Sequence, residues 1–286
     1  MPPVASASSE DTDPPFAPSL PAPRGLLSRA GRGSVAFLLA IQGLGAFGLI
    51  SLGVMVTKFR TARSVMLPLA LQQVMRSGVR LLPLATFLAV ALGFIVIGQS
   101  VSVLNRVGAQ DLLGTIMVTV VVRELGPLLS AILVLCRAGT ATVVELGTAR
   151  ALGEVEALEV LGIDPIHYFV VPRLVGMAAA MFSLTVYLIL GALLSGYLWA
   201  FLQDVPLLPG DYFRQLAGAL SGLDFVLLAA KTVGLGSVIA LVSCFHGLAQ
   251  PLSIAEVSRA TVRAVGQTIV LCAMLEALFI LIYLLA

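Results

Sequence analysis

A chain of 286 residues in which 59% are hydrophobic and only 11% are charged cannot cover the surface of a soluble domain with polar groups. Its mean hydropathy of +1.04 and its long apolar runs indicate an all-α membrane protein with several spans. The formal net charge of +2 is too small to indicate a nucleic-acid partner.

The N-terminal part of the chain consists of a polar tail, an apolar run and a basic segment. Residues 1–33, rich in Pro, Ser and Ala, predict a disordered cytoplasmic tail. The apolar run 35–56 follows three arginines, and 58–80 carries five cations and no acid. We therefore expect 34–80 to form a membrane-associated helix and an elbow helix on an anionic cytoplasmic surface. The pattern leaves open whether 35–56 crosses the membrane fully.

Five further apolar segments are each long enough to cross a bilayer, and together they form the predicted permease domain, 81–286. We place the spans at 81–103, 112–136, 173–202, 225–246 and 264–286. Lys and Arg number five in 58–80, three in 137–173 and two in 247–263, against one in 104–111 and one in 203–224. By the positive-inside rule the three richer segments are cytoplasmic, with the N-terminus cytoplasmic and the C-terminus outside.

The polar centre of the chain contrasts with the apolar segments on both sides. Its helical spacing predicts one amphipathic helix over 145–161, with Arg150 placed to pair with Glu154. Gly162 and the Asp164-Pro165 pair predict the end of this helix. The segment is either a solvated loop or a docking helix that a cytosolic partner binds.

Four charged residues lie inside predicted spans, where an ionisable group is costly: Arg123, Glu124, Lys231 and Glu276. Their formal charges sum to zero, so they can pair with one another in a purely structural role. They can also form a polar patch that holds the head group of an amphipathic ligand while its acyl chains lie on Leu and Val. Both interpretations can hold together.

Several kinds of chemistry lack their sequence motifs. The chain has no GxxxxGK[ST] phosphate loop, so ATP hydrolysis by that route must come from another protein. It has no HExxH or GxSxG motif, and its two histidines are far apart. We therefore expect no catalytic residue, metal site or cofactor, and a protein that is not an enzyme.

An ordered series of short motifs carries a family resemblance. It consists of RELGP at 123–127, CRAGTA at 136–141, ELGT at 145–148, EALEV at 156–160, DP at 164–165, VPR at 171–173 and SRATVR at 258–263. The series resembles the MlaE (YrbE) permease family, the membrane subunits of Mla and Mce type ABC lipid transporters. The matching residues include Gly126, Pro127, Arg137, Gly139, Gly147, Asp164, Pro165, Pro172, Arg173, Arg259 and Arg263. The sequence departs from the family in its Pro-rich tail and in Cys136, where a small residue is usual.

This resemblance implies a homodimeric permease of the bacterial inner membrane that moves phospholipid and contributes to outer-membrane lipid asymmetry. Its expected partners are a cytosolic ABC ATPase (MlaF-like), a periplasmic MCE-domain protein (MlaD-like) and, as a further candidate, a STAS-domain protein (MlaB-like). The segment 145–162 is then the coupling helix, and the four intramembrane charges line the lipid cavity. The coupling residues are Glu145, Arg150, Glu154, Glu156 and Glu159.

Two other classes of function stay open at this point. In an energy-independent secondary lipid transporter or scramblase, the intramembrane charges would form a proton or ion relay. A structural assembly subunit would instead use its docking helix only to place a cytosolic protein. The direction of transport and the lipid are not encoded in any of these motifs.

Overall fold

The computed structural model describes residues 42–54, 63–108, 112–202, 209–248 and 253–285, and the regular elements in these ranges are all helical. The helices are α1 (Gln42–Val54), α2 (Arg63–Ser77), α3 (Leu82–Val107), α4 (Leu113–Ala151), α5 (Glu154–Val160), α6 (Ile166–Leu202), α7 (Pro209–Ala219), α8 (Gly222–Leu248) and α9 (Ile254–Leu285). A 3-10 turn, Val79–Leu81, joins α2 to α3. The predicted tail 1–33 and parts of the run 35–56 lie outside the described residues.

Within the described ranges, five helical segments are long and apolar enough to cross a membrane. They are Pro68–Val101, which runs from α2 into α3, and the helices α4, α6, α8 and α9. The prediction of an all-α, five-span membrane protein is confirmed. Four predicted boundaries were wrong. The first segment begins at Pro68 rather than at 81, and α4 continues past 136 to Ala151. Helix α6 begins at Ile166 rather than at 173, and α9 at Ile254 rather than at 264. Charged side chains mark where the apolar segment ends, but helical hydrogen bonding continues beyond them into polar surroundings.

Helix α6 is the centre of the bundle, since it packs against α2, α3, α4 and α8, while α8 also contacts α4 and α9. Its inner face carries side chains with no exposed area, among them Met177, Met181 and Leu188. They meet Leu235 and Ile239 of α8 in one continuous apolar core. Large apolar side chains are thus buried between α6 and α8.

The described parts of the three basic segments lie at one end of the bundle, in agreement with the alternation of charge along the sequence. Arg76 of α2 contacts Glu145 of α4. Near them, the last residues of α8 pack on α4 and α5, where Leu146, Val155, Val170 and Leu248 form a small apolar cluster. The start of α9 also packs on α4, through contacts of Val143 with Val257 and Ala260. Which side of the membrane this end faces stays a prediction.

The prediction of one helix over 145–161 was wrong. Helix α4 ends at Ala151, and Gly153 adopts the left-handed conformation with φ of 78° before α5 begins at Glu154. Glycine reaches this conformation without the steric cost that a Cβ imposes, so the chain turns there. The bend also changes the predicted ion pair, because Arg150 Nη2 lies 3.6 Å from Oε1 of Glu156 rather than near Glu154.

The predicted end of this segment is confirmed. Gly162 has φ of 73°, its N–H donates to the carbonyl of Glu159 at 3.0 Å, and the N–H of Ile163 donates to the carbonyl of Leu158 at 2.9 Å. This pattern satisfies the last carbonyls of α5. Asp164 then accepts a hydrogen bond from the N–H of Ile166 at 3.0 Å and caps the start of α6.

Candidate functional site

Three stretches of π-helix coincide with the sequence motifs. Two lie in α4, at Val118–Leu125 and Leu135–Gly139, and the third opens α6 at Ile166–Val170. The first and third directly precede the Gly126-Pro127 and Val171-Pro172 pairs. A π-helical turn is rare and frequently marks a functional position, because it changes the direction of the side chains that follow.

The proline of the first motif frees a backbone acceptor inside the membrane. Pro127 has no N–H, so it cannot donate to the carbonyl of Arg123, four residues earlier. The ammonium group of Lys231 donates to this carbonyl at 2.7 Å. Gly126 allows the close approach of α6, because a Cβ there would lie 2.6 Å from Cγ1 of Ile189. The motif therefore brings α4, α6 and α8 together around one lysine.

We call Arg123, Glu124, Asp224, Lys231 and Glu276 the intramembrane cluster. Lys231 has no exposed side-chain area, and its Nζ lies 3.2 Å from Oε2 of Glu124 and 2.5 Å from Oε2 of Glu276. The predicted mutual pairing is therefore present for these three residues, which belong to α4, α8 and α9. A buried ammonium group needs such partners to offset the loss of its hydration.

Arg123 pairs with a residue that the sequence interpretation missed. Its Nε lies 2.9 Å from Oδ1 of Asp224 and its Nη2 donates to Oδ2 at 3.2 Å, while its guanidinium carbon lies 5.0 Å from the ring centre of Tyr283. Asp224 also accepts hydrogen bonds from the N–H and hydroxyl groups of Ser221 at 2.9 Å and 3.0 Å. The signal for Asp224 was present as an acid in the first turn of an apolar helix, three residues after a serine. With Asp224 the cluster holds two cations and three carboxylates, rather than the predicted sum of zero.

The cluster borders an apolar cavity of about 130 Å³, lined by leucines and isoleucines of α4, α8 and α9 and by Glu276. Only part of the cluster is accessible to a ligand. The side chains of Glu124 and Arg123 are 34% and 29% exposed, whereas those of Glu276 and Lys231 are 8% and 0% exposed. Of the four predicted cavity residues, only Glu276 lines this cavity. Arg123 and Glu124 are the more accessible members of the cluster but lie outside its lining.

A second group of ion pairs, the elbow cluster, consists of Arg76, Glu145 and Arg173. Oε1 of Glu145 accepts from Arg76 at 2.7 Å and Oε2 accepts from Arg173 at 3.1 Å. Arg173 also donates to the carbonyl of Phe169 at 3.1 Å. One carboxylate thus links α2, α4 and α6, so Glu145 differs from the other predicted coupling residues in joining three helices of the bundle.

The other predicted coupling residues surround α5. Glu154, Glu156 and Glu159 are exposed, and Val160 and Leu161 are 88% and 73% exposed at its end. A short helix between two left-handed glycines therefore presents acidic and apolar side chains away from the bundle.

The remaining motif residues divide into packing and exposed positions. Gly139 and Gly147 are buried where α4 meets α8, Pro165 directly precedes α6 and Pro172 is buried within it. Arg137, Arg259 and Arg263 are exposed. Within the described ranges, no group of three or more His, Cys, Asp or Glu side chains could hold a metal ion.

Comparison with known proteins gives the family. Residues 70–282 match the family described as Permease MlaE. A probable ABC transporter permease protein of Rickettsia felis is 28% identical over 80% of this chain and 88% of its own length. A probable ABC transporter permease protein of Synechocystis is 31% identical over 55% of this chain and 60% of its own length. The chloroplastic protein TRIGALACTOSYLDIACYLGLYCEROL 1 of Arabidopsis thaliana is 28% identical over 70% of this chain and 57% of its own length. The chain, a multi-pass membrane protein, belongs to the MlaE permease family.

Proposed function

We propose that this chain is the permease subunit of an ABC transporter that moves phospholipid, or a similar lipid, between the bacterial inner membrane and a periplasmic MCE-domain carrier. It acts as a homodimer with a separate cytosolic ABC ATPase, and a STAS-domain protein is a further candidate partner. Family membership and the names of the bacterial relatives support a permease that works with an ATPase. The name of the Arabidopsis relative is that of a galactosylated diacylglycerol, which supports a lipid as the transported molecule.

The observation that carries the proposal is the placement of α5. This helix lies between Gly153 and Gly162, at the end of the bundle where the basic segments meet, and it exposes three glutamates and two apolar side chains. A soluble partner could bind such a helix in a groove. Apolar contacts would then provide affinity, and the glutamates would fix the position of the helix in the groove. Because short turns at Gly153 and Gly162 join α5 to α4 and α6, a rigid-body movement of the partner would be transmitted to the helices that hold the two polar clusters.

The test is co-purification of the chain with the products of its neighbouring genes. We expect an ATPase in equal copy with the permease, and its loss when Glu156 and Glu159 are both replaced by Lys. The matched control is Asp211→Lys, which reverses an acid on α7 and should leave the ATPase bound. An intact dimer without any ATPase would contradict the proposal and favour the secondary transporter, whose potential-driven lipid movement can be measured in vesicles.

The lipid part of the proposal is tested separately at the intramembrane cluster. Arg123, Glu124, Lys231 and Glu276 are replaced singly by Ala, and bound phospholipid is measured by mass spectrometry at matched protein yield. We expect the largest loss of lipid for Arg123→Ala and Glu124→Ala, because these two side chains reach the surface of the cluster. Unchanged lipid in all four variants would exclude the head-group role.

A further inference from the structure

A basic cavity lies apart from the intramembrane cluster, between the C-terminal end of α2 and the second π-helical stretch of α4. We call it the elbow cavity. It has a volume of about 480 Å³, and its lining includes Gln73, Arg76, Arg80, Arg137, Thr140 and Glu145. This volume lies within the range of roughly 300–1,000 Å³ that is usual for small-molecule sites. The cavity is thus large enough for a lipid head group.

The charges that line the elbow cavity do not balance. Its wall holds three arginines and one glutamate, and this glutamate already pairs with Arg76 and with Arg173. Among the residues that the structure describes, neither Arg80 nor Arg137 forms an ion pair with a carboxylate. Two guanidinium groups therefore face the cavity with free donors, and a guanidinium fork suits the oxygens of a phosphate.

The surroundings of the cavity identify the source of the anion. Arg80 lies in the 3-10 turn that leads into α3, and Leu84, four residues later in α3, is 52% exposed. Ile132, four residues before Cys136 in the cavity wall, is 49% exposed. Residues four apart share a helix face, so the α4 wall of the cavity continues from Cys136 into an apolar surface of a membrane-spanning helix, and Arg80 lies close to the exposed apolar start of α3. A diacyl lipid carries a charged head group beside apolar chains. It therefore fits a basic cavity next to an apolar helix surface better than a soluble anion does.

We propose that the elbow cavity binds the phosphate of an anionic phospholipid through Arg80 and Arg137. The site is distinct from the intramembrane cluster and requires only that the chain lies in a membrane. It can therefore fail while the transport proposal stands, and the reverse is also true. A lipid held here would contact both α2 and α4, and so would fix the elbow helix against the segment that leads to α5.

The thiol of Cys136 gives a direct readout, since it lies in the cavity wall and is exposed, whereas Cys244 is buried. The full chain with Cys272→Ala is placed in nanodiscs of phosphatidylcholine with increasing mole fractions of phosphatidylglycerol. The rate at which an uncharged maleimide modifies Cys136 is measured. We expect the rate to fall severalfold as phosphatidylglycerol increases, because the bound head group covers the thiol.

Variants identify the residues responsible. Each arginine near an anionic lipid surface strengthens association roughly fivefold. Arg80→Gln and Arg137→Gln should therefore each raise, by about that factor, the mole fraction of phosphatidylglycerol that halves the rate of Cys136 modification. The matched control Arg214→Gln, on α7, should keep the protection of the parent chain. For each single variant, the rate of Cys136 modification with phosphatidylglycerol is divided by the rate without it. Any change that the substitution makes in the reactivity of Cys136 itself cancels in this ratio.

Two results would overturn the proposal. Equal protection in the parent chain and in both variants would show a general effect of the charged surface rather than a site. Protection by inorganic phosphate in pure phosphatidylcholine nanodiscs would assign the cavity to a soluble anion instead of a lipid.

Discussion

The ammonium nitrogen of Lys231 lies 2.5 Å from Oε2 of Glu276, and the lysine side chain has no exposed area. The same nitrogen lies 3.2 Å from Glu124 and donates to the carbonyl of Arg123 at 2.7 Å. Three membrane-spanning helices therefore share one buried cation. Its removal leaves the carboxylates of Glu124 and Glu276 close together, without the charge that offsets their repulsion and the burial of Glu276.

Replacement of Lys231 by Met should strongly destabilise the bundle. Breaking a buried ion pair by removing one partner typically costs about 3–5 kcal/mol, because the remaining charge stays buried without compensation. The measurement is the midpoint of thermal unfolding in detergent, followed by size-exclusion chromatography. The double variant Lys231→Met, Glu276→Met removes both charges and should recover a large part of the loss. Additive losses in the double variant would show that the two side chains do not act as a pair.

Replacement of Glu145 by Gln should release the elbow helix without unfolding the bundle. The pair with Arg76 is half exposed, and such pairs contribute at most about 1 kcal/mol, so the unfolding midpoint should change little. Hydrogen exchange of the α2 amides should nevertheless become faster, because this carboxylate holds α2 against α4 and α6.

The control for this prediction is Glu159→Gln, which makes the same chemical change on exposed α5 and should leave α2 exchange unaltered. Unchanged exchange in Glu145→Gln would mean that apolar packing alone holds the elbow helix.

The sequence predicted an all-α membrane protein, the number of its spans and the end of the bundle at which the basic segments meet. These features depend on the hydropathy and charge of each residue, which can be read without knowing its contacts. It did not predict the partner of Arg123, since Asp224 lies about a hundred residues away and only packing of α4 on α8 brings the two together. It also missed the bend at Gly153. The spacing of apolar residues there fits one helix, and nothing local shows that this glycine adopts the left-handed conformation.

Gly153→Ala should disturb the turn between α4 and α5. No atom lies within 4 Å of the position that a Cβ would occupy, so the cost comes from the backbone conformation alone. A left-handed residue with a Cβ costs roughly 1–2 kcal/mol. We expect local loss of order, measured as faster hydrogen exchange in α5, and weaker binding of the proposed ATPase partner. Gly153→Asn should behave more like the parent chain, because asparagine tolerates this conformation. Identical behaviour of the Ala and Asn variants would contradict this account.

Gly93→Ala should separate α3 from α6. Gly93 is buried at their crossing, where a Cβ would overlap the hydroxyl group of Ser195 and the carbonyl of Ala192 and would lie 2.8 Å from the backbone nitrogen of Gly196. Overpacking of this kind typically costs about 1–3 kcal/mol, since the backbone must shift to relieve it. The measurement is again the unfolding midpoint in detergent.

Two further variants make the result for Gly93 specific. Gly266→Ala is the matched control, because no atom lies within 4 Å of the position that the added methyl group would occupy at this helical glycine, and the midpoint should stay the same or rise. Combining Gly93→Ala with Ser195→Ala removes the hydroxyl overlap but leaves the backbone of Ala192 and Gly196 in place, so we expect little recovery. Full recovery in this double variant would show that the serine side chain, rather than the distance between the two helix backbones, sets the need for glycine at position 93.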